Sequence, residues 1–272
     1  LVPEVAGDHR RGTAHVEALS SDYRCITSDA RGYPASDVPS DPQCYSWERA
    51  VADAISVLDA LEIDRAHVVG LSMGGFCAVM LGALHPERAA SLIVTSTGSG
   101  AYPPTRERWR EETRQSAEYL RLNGMSAFAE RMAVGQSRVQ LQNKNLDEWD
   151  RFRRELAEHS GEGSRLPLLG VQLARPSLFD LVDDLARIIA PTLIVNGDED
   201  EAVLETGLLL KRTIRSAGLV VLPRTGHVPN LEEPSRYTSL VRGFLDDVED
   251  GNWSDRDARS IGSSQFGVGT EK

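Results

Sequence analysis

Three places in this chain could carry chemistry: a serine set between glycines, an acid-rich loop, and one histidine near the end of the folded region. The serine is Ser72, in Gly70-Leu71-Ser72-Met73-Gly74-Gly75. Gly-x-Ser-x-Gly is the pattern of a turn so sharp that small residues must flank the serine. Such a turn lifts the hydroxyl out of the sheet and aims the first free N–H groups of the next helix at whatever Oγ attacks. Met73, directly after the serine, would give one of those N–H groups to an oxyanion. A serine hydroxyl is a poor nucleophile at neutral pH, so it needs a general base that is itself oriented by a carboxylate.

Six histidines compete for the role of base. His67 lies inside an apolar run, His85 stands before Pro86 at a helix end, and His159 sits on a polar helix; each reads as structural. His9 and His15 lie early in the chain and could line a cleft. His227 differs, because Thr225-Gly226-His227 directly follows the last expected strand. For the acid, Asn196-Gly197-Asp198-Glu199-Asp200 follows one strand, whereas the earlier strand end Thr95-Ser96-Thr97-Gly98 holds no carboxylate. Asp198 and Asp200 both remain open here, and either could simply form a turn or cap a helix. Side chains at the carboxyl ends of parallel strands meet over one edge of the sheet, so a serine, an acid and a histidine at three strand ends can converge.

The elements that must place them alternate. Residues 13–20 are expected as a short helix and Tyr23–Thr27 as a strand. A helix begins at Ser46 and runs to about Leu61, with Trp47, Ala50, Val51, Ala54, Ile55 and Leu58 at three- and four-residue spacing. Ala66–Leu71 is the strand before Ser72, Phe76–Leu84 a helix, and Ala89–Ser96 the next strand. After Gly98 about 80 residues show helical spacing with no strand, drawn as helices over 104–122, 125–134, 146–159 and 163–174. Alternation returns with a strand at Thr192–Val195, a helix at Leu204–Ile214, a strand at Leu219–Leu222 and a helix at Pro234–Val248. The fold class is therefore α/β, a mostly parallel sheet with helices on both faces. Residues 1–100 and 183–250 form the core, 101–182 an all-helical insertion, and 251–272 a loosely held tail containing Trp253 and Phe266.

Composition narrows the function classes. The 272 residues are 40% hydrophobic with a formal charge of −11 at pH 7, which argues against nucleic acid or an anionic membrane as partner. Residues 101–160 depart from this acidity, with 11 Lys/Arg against 10 Asp/Glu. No apolar run reaches the roughly 20 residues of a membrane span, and the first residues lack a signal-peptide pattern. Cys25, Cys44 and Cys77 are too few and scattered for a disulfide framework, so the expectation is a reducing cytoplasm. No dinucleotide fingerprint, phosphate loop or zinc spacing is present, so no cofactor or metal is expected. The expected partner is a small-molecule, largely apolar substrate. A homo-oligomer is not indicated.

The chain resembles the α/β-hydrolase fold superfamily, in its capped branch of esterases, lactonases and carbon–carbon bond hydrolases. The resemblance spans about Glu4 to Leu245. It rests on Asp29-x-Arg31-Gly32-Tyr33-x-x-Ser36, Gly70–Gly75, Asn196–Asp200, Gly226-His227 and Leu231-Glu232-Glu233-Pro234. It implies Ser72 as nucleophile, His227 as base and Asp200 rather than Asp198 as acid, since the family's acid stands three residues after the glycine. It also implies that the helical insertion is a cap, that Met73 and Val5 give the oxyanion N–H groups, and that the substrate is an ester, lactone or related carbonyl compound. Alternatives are carbon–carbon bond hydrolysis of a diketone-type compound with the same triad, and a non-catalytic ligand-binding member of the fold. The start departs from the family pattern. Relatives carry three strands before the one at Tyr23, and Leu1–Val5 matches only the end of the third. The expectation is a truncated form of a longer chain.

Overall fold

The structure is a computed structural model that describes Glu4 and residues 7–260. Four parallel strands form one sheet in the order β1 (Ala66–Leu71), β2 (Ala89–Thr95), β3 (Thr192–Gly197) and β4 (Ala217–Leu222). β2 and β3 lie in the middle and are buried almost throughout, as continuous apolar runs in a parallel sheet should be. Their pleat divides two cores. Leu92, Val94 and Ile194 face α3 (Met73–Leu84) and α2 (Trp47–Ala60), whereas Ile93, Leu193 and Val195 face α11 (Pro234–Glu249) and Leu19 of α1 (Thr13–Leu19). α9 (Glu201–Thr213) packs on β3 and β4. In register Leu71 stands opposite Thr95, Thr95 opposite Val195, and Gly197 opposite Leu222, so the strands run out together at one edge.

Between β2 and β3 the described chain is helical: α4 (Pro103–Ala133), α5 (Val139–Lys144), α6 (Leu146–Ala157), α7 (Gly161–Pro167) and α8 (Val182–Leu185). α4 breaks at Gly124, whose φ of 77° is open to glycine at little cost and separates the two helices expected there. The single helix expected over 163–174 is instead α7 followed by a π-helix, Leu168–Leu173. Pro167 explains the change, because it lacks the N–H that would continue the α-helical ladder. The insertion owns a core in which Leu120, Phe128, Leu141, Phe152, Leu156 and Leu168 are buried together.

The strand expected at Tyr23–Thr27 does not form. The segment belongs to no helix or strand, and a cavity of about 350 Å³ is lined by its Tyr23, Cys25 and Ile26 on one side and by Val68 and Val69 of β1 on the other. Across that cavity the edge of β1 is not a ladder partner, whatever the β-propensity of the segment. At the other end, Trp253 stands edge-on to Phe244 with ring centroids 4.7 Å apart, and its Nε1–H donates to the Ser216 carbonyl at 2.7 Å. Residues 261–272 of the expected tail lie outside the described residues. Among the described residues no helix is long and apolar enough to cross a membrane.

Helix α3 approaches the sheet closely at Gly82, where an added Cβ would stand 2.6 Å from Leu92 Cδ1. Leu92→Ala is expected to cost roughly 2–5 kcal/mol of stability. Gly82→Ala alone overpacks the same contact, by about 1–3 kcal/mol. Chemical denaturation should show the double variant less destabilised than the sum of the two, because the new methyl enters the space vacated by Leu92.

Candidate active site

Ser72 joins β1 to α3 with φ 54° and ψ −106°, a left-handed backbone that a non-glycine residue adopts at a cost of about 1–3 kcal/mol. The turn is held by the Ser72 N–H donating to the Thr95 carbonyl at 2.8 Å and by the Phe76 N–H donating to the Ser72 carbonyl at 3.0 Å. Its flanking glycines are required by space. A Cβ on Gly70 would lie 2.2 Å from the Gly74 carbonyl oxygen, and one on Gly75 would lie 1.8 Å from Thr97 Oγ1. Ser72 is 9% exposed, and its Oγ makes no hydrogen bond among the described residues. Met73 opens α3, so its N–H belongs to the first turn, where no carbonyl of the same helix can accept it. Val5, expected as the second donor, lies outside the described residues.

The loops after β3 and β4 are stapled to each other. Glu199 N–H donates to the Thr225 carbonyl at 3.0 Å, and Thr225 N–H donates to Asp198 Oδ1 at 3.2 Å. Gly197 permits this approach, since a Cβ there would stand 2.0 Å from the Thr225 carbonyl oxygen. The staple assigns the two carboxylates different surroundings. Asp198 is engaged with backbone, whereas Asp200 Oδ2 lies 2.6 Å from His227 Nδ1. Both Asp200 and His227 are buried. Burial disfavours the imidazolium, but the charge and hydrogen bond of Asp200 outweigh it, so the His227 pKa stands above its ordinary value. Leu71 and Val228, the neighbours of Ser72 and His227, pack in the same apolar cluster as Phe128 and Phe152 of the insertion. That cluster makes the surroundings of these two residues continuous with the insertion.

The remaining histidines are held elsewhere. His15 bonds Thr238 Oγ1 at 2.7 Å and the Asn230 carbonyl at 3.1 Å. His67 bonds Ser91 Oγ at 2.8 Å, and His159 bonds Asp8 at 2.9 Å. His9 meets Asp29, and together with Asp8 these form one group whose ligand atoms lie within 4.8 Å. The Asp8 carboxylate already accepts from Arg10 and His159, which leaves a metal ion facing an arginine.

Sequence periodicity overlooks the part of the insertion nearest this site. Arg138 is 1% exposed and pairs with Glu4 at 2.6 Å, and both charges act on His227. Two residues of α5 reach the loops themselves: Gln140 donates to Glu199, and Lys144 Nζ lies 3.1 Å from Thr225 Oγ1 and 2.5 Å from Glu233. α5 has six residues, too few to show a helical repeat in sequence. The alternation of Arg138, Gln140 and Lys144 with apolar Val139 and Leu141 is the only local signal, and it does not say what the polar residues meet.

The sequence model of the alpha/beta hydrolase family matches residues 6–240. The chain is 27% identical over 243 residues to 3-oxoadipate enol-lactonase 1 of Acinetobacter baylyi, covering 89% of this chain and 86% of that protein. It is 32% identical over 247 residues to 2-hydroxymuconate semialdehyde hydrolase of a Pseudomonas species, covering 85% and 79%. Among solved structures, a thermophilic esterase from Thermogutta terrifontis superposes with a TM-score of 0.79 at 28% identity, covering 91% of this chain and 88% of that one.

The buried Asp200–His227 pair has a direct readout. In an NMR titration His227 should lose its proton at a pH above the ordinary imidazole value. Asp200→Asn removes the carboxylate but leaves the burial, so the same titration should then move below the ordinary value.

Proposed function

The chain belongs to the alpha/beta hydrolase family, and from that premise we propose that it hydrolyses an ester, lactone or related carbonyl compound through an acyl-enzyme on Ser72. One observation carries the assignment of roles: the 2.6 Å contact of Asp200 Oδ2 with His227 Nδ1, at the strand edge from which the strained Ser72 turn emerges. With Nδ1–H given to Asp200, the neutral ring keeps the lone pair on Nε2 as its base.

His227 Nε2 takes the proton of Ser72 Oγ as the oxygen attacks the carbonyl carbon. The carbonyl π electrons move to oxygen, and the Met73 N–H donates to the oxyanion. The oxyanion collapses, the bond to the alkoxy leaving group breaks, and the imidazolium hands that group its proton. Water then attacks the acyl-enzyme, with His227 again as base, and releases the acid and Ser72. Asp200 holds the ring in its tautomer and stabilises the imidazolium. Ser72 Oγ and His227 share no hydrogen bond in this structure. Such bonds commonly tighten only with substrate bound.

The helical insertion acts as a cap over this edge. Leu71 and Val228, the neighbours of Ser72 and His227, pack against its Phe128 and Phe152, so the surroundings of the two residues are apolar, which fits a small, largely apolar substrate. No cofactor takes part. A second reading, cleavage of a carbon–carbon bond in a diketone-type compound by the same three residues, draws on the 32% identity to 2-hydroxymuconate semialdehyde hydrolase.

Ser72→Ala should abolish covalent labelling by a fluorophosphonate and lower kcat by on the order of 10⁶. Ser72-independent labelling of folded protein would overturn the reading. Asp200→Asn should lower kcat by about 10⁴, while Asp198→Asn should leave the chemistry far less affected. Aryl esters and lactones assayed beside a ring-cleavage dienoate separate the two bond types: the first reading requires the higher kcat/KM on the esters or lactones.

A further inference from the structure

His227 is fixed through its ring by Asp200, but a ring is only as well placed as the backbone that bears it. The segment from Pro223 to Val228 belongs to no helix or strand. Its two amides on either side of His227 nevertheless converge on a single side chain. Gly226 N–H donates to Glu232 Oε2 at 2.6 Å, and Val228 N–H donates to Glu232 Oε1 at 3.2 Å. The one-turn helix α10 (Pro229–Glu232) brings this carboxylate back, with Leu231 N–H and Glu232 N–H both bonded to the Val228 carbonyl at 2.9 Å. Gly226 leaves room for it: a Cβ there would meet Glu232 Oε1 at 3.0 Å.

We propose that Glu232 is a positioning residue for His227, its two oxygens clamping the backbone on both sides of the base so that the imidazole is held between Asp200 and Ser72. The proposal rests on the reading of Ser72 as nucleophile and His227 as base. Its physical ground is the cost of the arrangement. Glu232 is 5% exposed, and among the described residues it makes no ion pair, since Lys144 turns to the neighbouring Glu233. Burial pushes its pKa up, and the two backbone N–H bonds oppose that shift, with the charges of Lys144 and Arg138 adding to them from farther off. A buried carboxylate with no cation in contact is costly to keep, so its hydrogen bonds must carry much of the compensation. A loop that only needed to be closed could use a neutral acceptor. A carboxylate presents two equivalent acceptors with no donor, which is what two convergent N–H groups require.

Glu232→Gln is the direct test, because the amide keeps one acceptor and turns an NH₂ toward the other N–H. Enzyme concentration is set by fluorophosphonate titration of Ser72, so that only folded, reactive molecules are counted. The expected result is a fall in kcat of roughly 10–100-fold with KM changed less than twofold, the rate of fluorophosphonate labelling falling in parallel. The low-field ¹H NMR signal of the His227–Asp200 hydrogen bond should broaden or shift. Glu232→Asp, which keeps both oxygens but withdraws them by one methylene, should move kcat and the NMR signal the same way. Unchanged kcat per titrated site in either variant overturns the proposal, as does a loss of activity that only tracks a loss of folded protein. Activity surviving in Ser72→Ala would instead remove the reading beneath it, a result independent of Glu232.

Discussion

A serine held at φ 54° is the constraint from which much of this molecule follows. The strain of about 1–3 kcal/mol persists only where the surroundings are too tightly packed to let it relax. Here they are: β1 on one side is bonded to β2, α3 on the other is buried nearly all round, and the glycines at 70 and 75 stand where a methyl would strike backbone or Thr97. The same logic recurs across the sheet at Gly197, which lets the acid-bearing loop press against the loop of His227. Backbone proximity at these two places brings the loops of Ser72, Asp200 and His227 together, and side chains such as Asp198 and Glu232 then fasten them.

That dependence explains what was legible in the residues and what was not. Long apolar or amphipathic segments such as β2, β3, α2 and α11 announce themselves, because burial on one or both faces imposes a period on the chain. The break between the halves of α4 also shows, through Gly124. Tyr23–Thr27 reads as a strand but forms no ladder with β1 among the described residues, since residue preference does not set which edge lies beside it. α5 and α10 are too short for a period. The choice between Asp198 and Asp200 stays open on local pattern alone. It depends on the Thr225 contacts, made 27 residues away, which turn Asp198 to the backbone and leave Asp200 beside the imidazole.

The insertion is joined to the beginning of the described chain by buried charge. Arg138 meets Glu4, Arg11 meets Glu155 at 3.0 Å, and His159 meets Asp8. The guanidinium groups of Arg11 and Arg138 both lie over the Phe152 ring, at 4.8 and 4.6 Å. Buried pairs of this kind contribute little net stability beside apolar packing, yet removing one partner strands the other and is strongly destabilising. They therefore specify where the insertion sits more than how firmly the protein holds together.

The two faces of the insertion carry unequal freedom to change over evolutionary time. The outer faces of α4 and α6 hold exposed ion pairs such as Arg121–Glu118 and Arg154–Asp150, each made within the helix that bears it. Phe128 and Leu168 can trade volume where a neighbour in their cluster compensates, although that cluster includes Leu71 and Val228 beside Ser72 and His227. α5 has no such licence. Gln140 and Lys144 hold both loops at the strand edge, so a drift in this short helix is felt by the acid and the base together. Diversification of specificity in such a chain should therefore spread outward from α4 and α6, with the stretch from Arg138 to Lys144 among the last parts of the insertion to vary.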